Sequence, residues 1–242
     1  MNKPSFHFIT LFPETIHIWM STSILGRAHK AGLFNFKIYQ LRDYSTDKHL
    51  NVDDVAYGGG GGMVLRIEPL VRAIETIKQE IGNSSAKVIY LSPAGEKLNH
   101  NLVKSFTAIL PNSPLIFICG HYEGVDQRFI DNWVDKEISL GDFVVTGGEL
   151  PALVMADAII RQLDGTLGSQ TTAQTESFSL TSGQSQLLEY PHYTRPSEFR
   201  GLTVPEVLLS GNHQKIEAWR LEQAKTRTAN KRPDLFHPSN LG

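Results

Sequence analysis

The sequence predicts an α/β protein: a mostly parallel sheet covered by helices on both faces, followed by a small, mainly helical C-terminal domain. Short apolar or alternating runs, "FHFIT", "KVIYLS", "LIFICG" and "DFVVTGG", each lead into a glycine, proline or polar turn, which is how buried strands read. Amphipathic stretches lie between them. A long polar segment then separates this alternating region from a last stretch that closes with a helix.

Taken in order, "FHFIT" opens the sheet, and Pro13 to Ala31 reads as a helix with Ile16, Met20 and Ile24 on one face. Glu68 to Ile81 repeats the pattern with Leu70, Ile74 and Ile77, and Asn99 to Leu110 with Leu102 and Phe106. Strand alternating with helix continues to about Leu163 and predicts one domain over residues 1–163. Residues 164–186, "DGTLGSQTTAQTESFSLTSGQSQ", are rich in Ser, Thr, Gln and Gly and are expected to be a flexible linker or a loop that orders on binding. Residues 187–242 form the C-terminal domain, with Asn212 as the N-cap of the final helix.

Composition narrows the function. The chain has 242 residues, 40% hydrophobic and 20% charged, and a net charge of −2, which neither demands nor excludes a polyanionic partner. No apolar run is long enough to span a bilayer and the start "MNKPSFHFIT" is polar, so a cytoplasmic protein without a membrane partner is expected. The single cysteine, Cys119, ends an apolar run and reads as a buried hydrophobe. The histidines are scattered without metal-ligand spacing. Arg220, Arg227 and Lys231 recur at helical spacing opposite Ile216 and Trp219, a basic stripe suited to nucleic-acid phosphates or simply to solvent.

Three strand-to-loop junctions share a design: "YLSPAG", "ICGHYEG" and "SLGDFVVTGGELP". The carboxyl ends of parallel strands form the ligand crevice, and glycines there let backbone groups approach a flat heterocycle. Five consecutive glycines, Gly58 to Gly62, form a further loop, but without the Lys-Ser/Thr of a phosphate-binding P-loop. A nicotinamide-dependent oxidoreductase would need Gly-x-Gly-x-x-Gly after the first strand, where this chain has "TLFPET".

The segments "LFPE", "RDYSTDKHLNVDDVAYGGGGGMV", "LSPAGEKL", "CGHYEGVDQR", "ISLGDFVVTGGELPALVMADAIIR", "ESF", "EYPHYTRPSEFRGLTVPEVLLSGNH" and "WRLEQAKTRTANKRPDL" arrive in one order over Phe6 to Phe236. In that order they resemble the bacterial tRNA (guanine-N1)-methyltransferase family, TrmD. The resemblance implies a SPOUT fold with a deep trefoil knot, where pattern rules alone give unknotted connections. It implies S-adenosylmethionine as methyl donor, held by Leu91, Ser92, Pro93 and Gly95, by Gly120, Tyr122 and Glu123, and by Ser139, Leu140, Gly141, Asp142, Phe143, Val144, Val145, Gly147 and Gly148. This chain departs from the family at His121, where arginine is common, and at Glu176, where aspartate is common.

The resemblance further implies a tRNA (guanine(37)-N1)-methyltransferase that helps maintain the reading frame. Glu176 is the implied base that removes the N1 proton, and Arg161 the cation that stabilises charge on guanine O6. Gly59 and Gly60 would lie against the target base, and Arg220, Arg227 and Lys231 would meet the tRNA. A homodimer with active sites at the subunit interface is implied, with Mg2+ as a supporting ion for which no protein ligand site is legible. The alternative is a non-catalytic RNA-binding protein on the same fold.

Overall fold

The computed structural model describes residues 3–82, 85–110, 112–168, 175–183 and 185–236. Two compact units divide the chain, Met1–Gly168 and Ser169–Gly242.

The first unit is built on five parallel strands in the order β2-β1-β6-β5-β7. These are β1 (Ser5–Thr10), β2 (Asn35–Gln40), β5 (Lys87–Lys97), β6 (Leu115–Ile118) and β7 (Lys136–Ser139). A small antiparallel pair, β3 (Asp53–Asp54) with β4 (Val64–Leu65), brackets the glycine run. The helices are α1 (Pro13–Met20), α2 (Ser23–Lys30), α3 (Ile67–Ile81), α4 (His100–Ile109), α5 (Gln127–Trp133) and α6 (Glu149–Ile160).

Alternation along the strands decides which layer each side chain joins. Phe6 and Phe8 of β1, Ile89 and Leu91 of β5, and Leu115 and Phe117 of β6 pack with α1, α2, α4 and α6 on one face. Ile9, Val88, Tyr90, Ile116 and Ile118 point the other way, onto Leu70, Ile74 and Ile77 of α3 and Phe129 of α5. Both faces are therefore covered, which is why the strands read as apolar runs.

Three details of the first unit differ from the sequence reading. The single helix expected over residues 13–31 is broken in two: Thr22 Oγ1 donates to Ile18 O at 2.5 Å, satisfying a terminal carbonyl of α1, and Ser23 turns the chain at φ 53. A Cβ on Gly26 would lie 2.2 Å from Ser21 O, so this corner closes only with glycine there. The run "DFVVTGG" is a loop, not a strand. The strand of that region is β7; Ser139 Oγ then accepts the Gly141 N–H at 3.2 Å and the chain turns off the sheet, leaving Phe143, Val144 and Val145 exposed. The half-buried edge strand β2, "NFKIYQ", was not foreseen.

The second unit contains the hairpins β8 (Thr181–Ser182) with β9 (Ser185–Gln186) and β10 (Glu198–Phe199) with β11 (Leu202–Thr203). They are followed by α7 (Glu206–Leu209) and the long α8 (His213–Lys231), capped as expected by Asn212, whose Oδ1 accepts the Lys215 N–H at 3.1 Å. Part of the expected linker is thus folded. Leu187 donates its N–H to Leu180 O at 2.8 Å and returns its own carbonyl to Phe178 N–H at 2.8 Å, closing a hairpin over residues that composition alone marked as flexible. The physical reason is Leu187: fully buried, it supplies the apolar anchor that the polar residues around it lack. The linker expectation for residues 169–174 lies outside the described residues.

Candidate active site

Three loops at the carboxyl ends of β5, β6 and β7 enclose a cleft of about 240 Å³. The first is a bulge within β5. Ile138 of β7 faces Leu91 and then Glu96, so Ser92 to Gly95 stand out from the ladder. Ser92 Oγ donates to the Glu137 carboxylate and accepts the Ala94 N–H at 3.0 Å, which fixes the bulge from both sides. Gly95 closes it against β7, where a Cβ would lie 2.3 Å from Ile138 N.

The second loop, Gly120 to Gly124, leaves β6 with Tyr122 at φ 60 and Gly124 at φ 129. Its outer strand is tied to the end of the glycine run: Glu123 N–H donates to Met63 O at 3.0 Å and Leu65 N–H to Gly124 O at 2.9 Å. A Cβ on Gly62 would strike the Glu123 side chain at 2.4 Å. The third loop, Leu140 to Gly148, returns over the second. Gly148 donates its N–H to Gly120 O at 2.8 Å, and a Cβ there would sit 2.6 Å from Gly120 N.

The cleft floor is Tyr90, whose hydroxyl burial and the Glu137 charge push up to about 12, so it stays a neutral phenol. Behind the second loop, burial and then Glu149 push the Cys119 thiol well up, and it behaves as a small hydrophobe. Glu149 opens α6 and is nearly fully buried; its Oε1 accepts Thr10 Oγ1 at 2.5 Å and its Oε2 meets His121 Nε2 at 2.6 Å. A carboxylate at the first turn of a helix also lies at the favourable end of the helix dipole. Backbone edges, small residues and apolar Leu140, Val144 and Val145 around the opening suit a flat heterocycle, and Glu123 suits a cationic ligand.

Residues 5–238 match the family model described as tRNA (Guanine-1)-methyltransferase TrmD. The chain belongs to this tRNA (guanine-1)-methyltransferase family. Among similar proteins, the tRNA (guanine-N(1)-)-methyltransferase of Lachnospira eligens is 47% identical over 231 residues, covering 96% of this chain and 94% of the relative. That of Clostridioides difficile is 46% identical over 235 residues, covering 97% and 98%. That of Caldicellulosiruptor saccharolyticus is 49% identical over 236 residues, covering 98% and 91%.

In this member of the tRNA (guanine-1)-methyltransferase family, the cleft gathers Leu91, Ser92, Pro93, Gly120, Tyr122, Glu123, Ser139, Leu140, Gly141, Phe143, Val144, Val145, Gly147 and Gly148. Gly95 and Asp142 stand outside the lining. Gly95 shapes the bulge from behind, and Asp142 is exposed and paired with Lys97 at 3.1 Å. The sequence reading did not assign Tyr90, His121, Gly124, Ile138, Thr146 and Pro151 to the donor site, though they also line the cleft. All but Ile138 fall within the three strand-to-loop junctions, from Tyr90 just before the first loop to Pro151 in the first turn of α6.

Arg161 is not in the cleft. It follows α6, some 18 Å along the helix from Glu149 at 1.5 Å per residue, and lines an apolar groove of about 350 Å³ with Trp19, Leu150, Leu153, Val154, Asp157 and Ala158. Its N–H donates to Asp157 O at 3.0 Å. Glu176 belongs to the second unit, half-buried, with its carbonyl accepting the N–H groups of Ser179 and Leu180, each at 3.1 Å. Gly59 and Gly60 take φ 82 and 114 in open space.

The basic stripe is only partly solvated. Arg227 and Lys231 are exposed, but Ala224 and Thr228 on the same side of α8 are buried, so Arg220 turns inward. Its guanidinium stacks 4.8 Å from the Tyr190 ring and its Nε has no hydrogen-bond partner among the described residues. The expected division between a basic side and an Ile216–Trp219 side does not hold, because Trp219 and Arg220 are adjacent, half-buried neighbours.

Proposed function

We propose that the chain transfers a methyl group from S-adenosylmethionine to N1 of the guanosine on the 3′ side of the tRNA anticodon. The observation that carries this is the cleft of about 240 Å³ walled by glycine backbone at Gly120, Gly141, Gly147 and Gly148, within a chain that matches the family over residues 5–238. The donor supplies an electrophilic methyl group on a positively charged sulfur. The knotted region implied by the family comprises the three loops of the cleft.

The chain's own residues supply the rest. Guanine N1 carries a proton and is a poor nucleophile until that proton leaves. Glu176 takes it as the N–C bond forms; the sulfur–carbon bond breaks and the sulfur leaves as a neutral thioether. Arg161 stabilises the charge that builds on O6. The glycine run admits the target base, which must leave its stack to expose its edge. Arg227 and Lys231 meet tRNA phosphates.

The protein acts as a homodimer with active sites at the subunit interface. An exposed apolar face of Ile18, Trp19, Leu150 and Val154 supports this, being of the kind that association covers. It works in the cytoplasm, where tRNA is found, and no helix among the described residues is long and apolar enough to cross a membrane. Among the described residues no three His, Cys, Asp or Glu side chains converge as a metal site.

Methyl transfer to an unmodified tRNA transcript, followed by nucleoside mapping, tests the reading. N1-methylguanosine on the 3′ side of the anticodon is expected. Tight tRNA binding with no transfer at any donor concentration overturns it in favour of a non-catalytic RNA-binding protein.

A further inference from the structure

We infer that Glu149 is a positioning residue for the methyl donor: from one layer behind the cleft its carboxylate holds His121, and with it the second and third loops, at the spacing that binds S-adenosylmethionine. The inference rests on S-adenosylmethionine being the donor. Glu149 itself does not line the cleft, whereas Gly120, His121, Gly147 and Gly148 do.

Three elements meet at this one side chain. Thr10 Oγ1, at the end of β1, donates to Oε1 at 2.5 Å, and His121 Nε2, on the second loop, donates to Oε2 at 2.6 Å. The third loop packs against the pair: a Cβ on Gly147 would lie 2.4 Å from His121 Cε1 and 2.8 Å from Glu149 Oε2. Thr10 is fully buried and Glu149 nearly so. Thr10 Oγ1 also accepts the Phe12 N–H at 2.9 Å, and the Phe12 ring stands 5.0 Å from that of His121.

Packing alone does not account for a carboxylate here. Burying such a group is costly, and an apolar side chain of similar volume would fill the same space, often with no loss of stability. What the carboxylate adds is direction. Its two oxygens accept from β1 and from the second loop at once, so the His121 ring is set relative to the sheet. Gly147 then seats the third loop on that ring, and Gly148 seats it on the second loop's backbone, where a Cβ would lie 2.6 Å from Gly120 N. A displaced His121 therefore shifts both walls of the cleft together.

Glu149→Gln keeps the volume but places an amide where two donors each need an acceptor. Donor affinity should fall by about tenfold to a hundredfold, the range of a hydrogen bond to a charged group. Because the carboxylate touches neither donor nor tRNA, kcat at saturating donor and KM for tRNA should stay within about threefold of the wild type.

Isothermal titration of S-adenosylmethionine into Glu149→Gln, His121→Gln and the double variant tests this, alongside steady-state kinetics and urea unfolding. Since Glu149 acts through His121, the double variant should bind the donor no more weakly than the weaker single one. Losses that multiply overturn the inference, as does native donor affinity in Glu149→Gln. Loss of urea stability and tRNA binding in step with donor affinity makes the residue merely structural and overturns it too. Thr10→Ser, which keeps the hydroxyl, should retain the affinity that Thr10→Val loses. Failure of the wild type to bind S-adenosylmethionine instead sinks the donor reading beneath it.

Should the variants not fold, nuclear magnetic resonance of the wild type still decides. The His121 Nε2 hydrogen held by Glu149 should give a slowly exchanging, downfield ring signal that persists when S-adenosylmethionine saturates the cleft. Disappearance of that signal on donor binding would mean that His121 leaves Glu149 in the complex, and overturns the proposal.

Discussion

Gly95 and the backbone of Ile138 are in closest approach: a Cβ on Gly95 would lie 2.3 Å from Ile138 N and 2.4 Å from Glu137 C. The first cleft loop therefore exists only because the residue behind it has no side chain. Gly95→Ala must push β5 from β7 or flatten the bulge. We expect destabilisation of about 2–4 kcal/mol, in the range of strain in a packed core, and loss of donor affinity even though Gly95 does not line the cleft. Urea unfolding and calorimetric titration measure the two effects; native stability with native affinity would show that the bulge is not held from behind.

The apolar face around Trp19 gives a second expectation. Trp19, Leu150 and Val154 are 54%, 60% and 51% exposed in the single chain. Trp19→Glu combined with Val154→Glu should yield a folded monomer by sedimentation, because neither side chain supports the core that it flanks. A dimer that survives both charges must associate through another face.

Removal of the proposed base should affect turnover and leave donor binding alone. Glu176→Gln keeps the shape and loses the proton acceptor, so single-turnover methylation should fall by about 10²–10⁴-fold. Raising pH should partly restore it as guanine sheds its proton to water. A variant with lower tRNA affinity but an unchanged single-turnover rate would make Glu176 a binding group.

Residues of the basic stripe should separate by what they touch. Arg227→Ala and Lys231→Ala, on exposed positions, should weaken tRNA binding and flatten its salt dependence by about one unit of slope each. Arg220→Ala removes a cation stacked 4.8 Å from the Tyr190 ring and should instead destabilise the second unit by about 0.5–2 kcal/mol. Salt titration of tRNA binding alongside thermal unfolding sorts the three.

Acid should destabilise the first unit through His7. Burial, and then the Lys37 charge, lower its pKa from 6.5 to about 4, with Glu80 opposing. Between those values the unfolded chain binds a proton that the folded chain does not. Stability is therefore full above about pH 6.5 and falls as pH drops towards about 4, by about 3 kcal/mol for that difference. His7→Gln should flatten this slope in urea unfolding followed against pH, and an unaltered slope would assign the effect to other groups.

The core was legible where one residue type did one job. Phe6, Ile89 and Phe117 announced strands because both sheet faces are covered, and Asn212 announced a helix start because its side chain caps Lys215. "DFVVTGG" misled because an apolar run at a cleft mouth has the composition of a strand without its partners. The hairpin around Leu187 was hidden by its polar neighbours, which fold on one buried anchor. Of the candidate site, the glycines could be read, since close approach demands them. The Thr10–Glu149–His121 chain could not, because its members are separated by up to 139 positions and meet only when β1, β6 and α6 are assembled.

The glycine run sets a constraint of another kind. Gly58, Gly59 and Gly60 take φ of 88, 82 and 114, yet nothing stands within 4 Å of where a Cβ would be. What excludes other residues there is handedness, since an L side chain in such a backbone costs about 1–2 kcal/mol. A semisynthetic chain carrying D-alanine at Gly58 or Gly59 would meet no such strain, while its L-counterpart would meet it in full. In this loop the mirror image of a forbidden residue is an acceptable one.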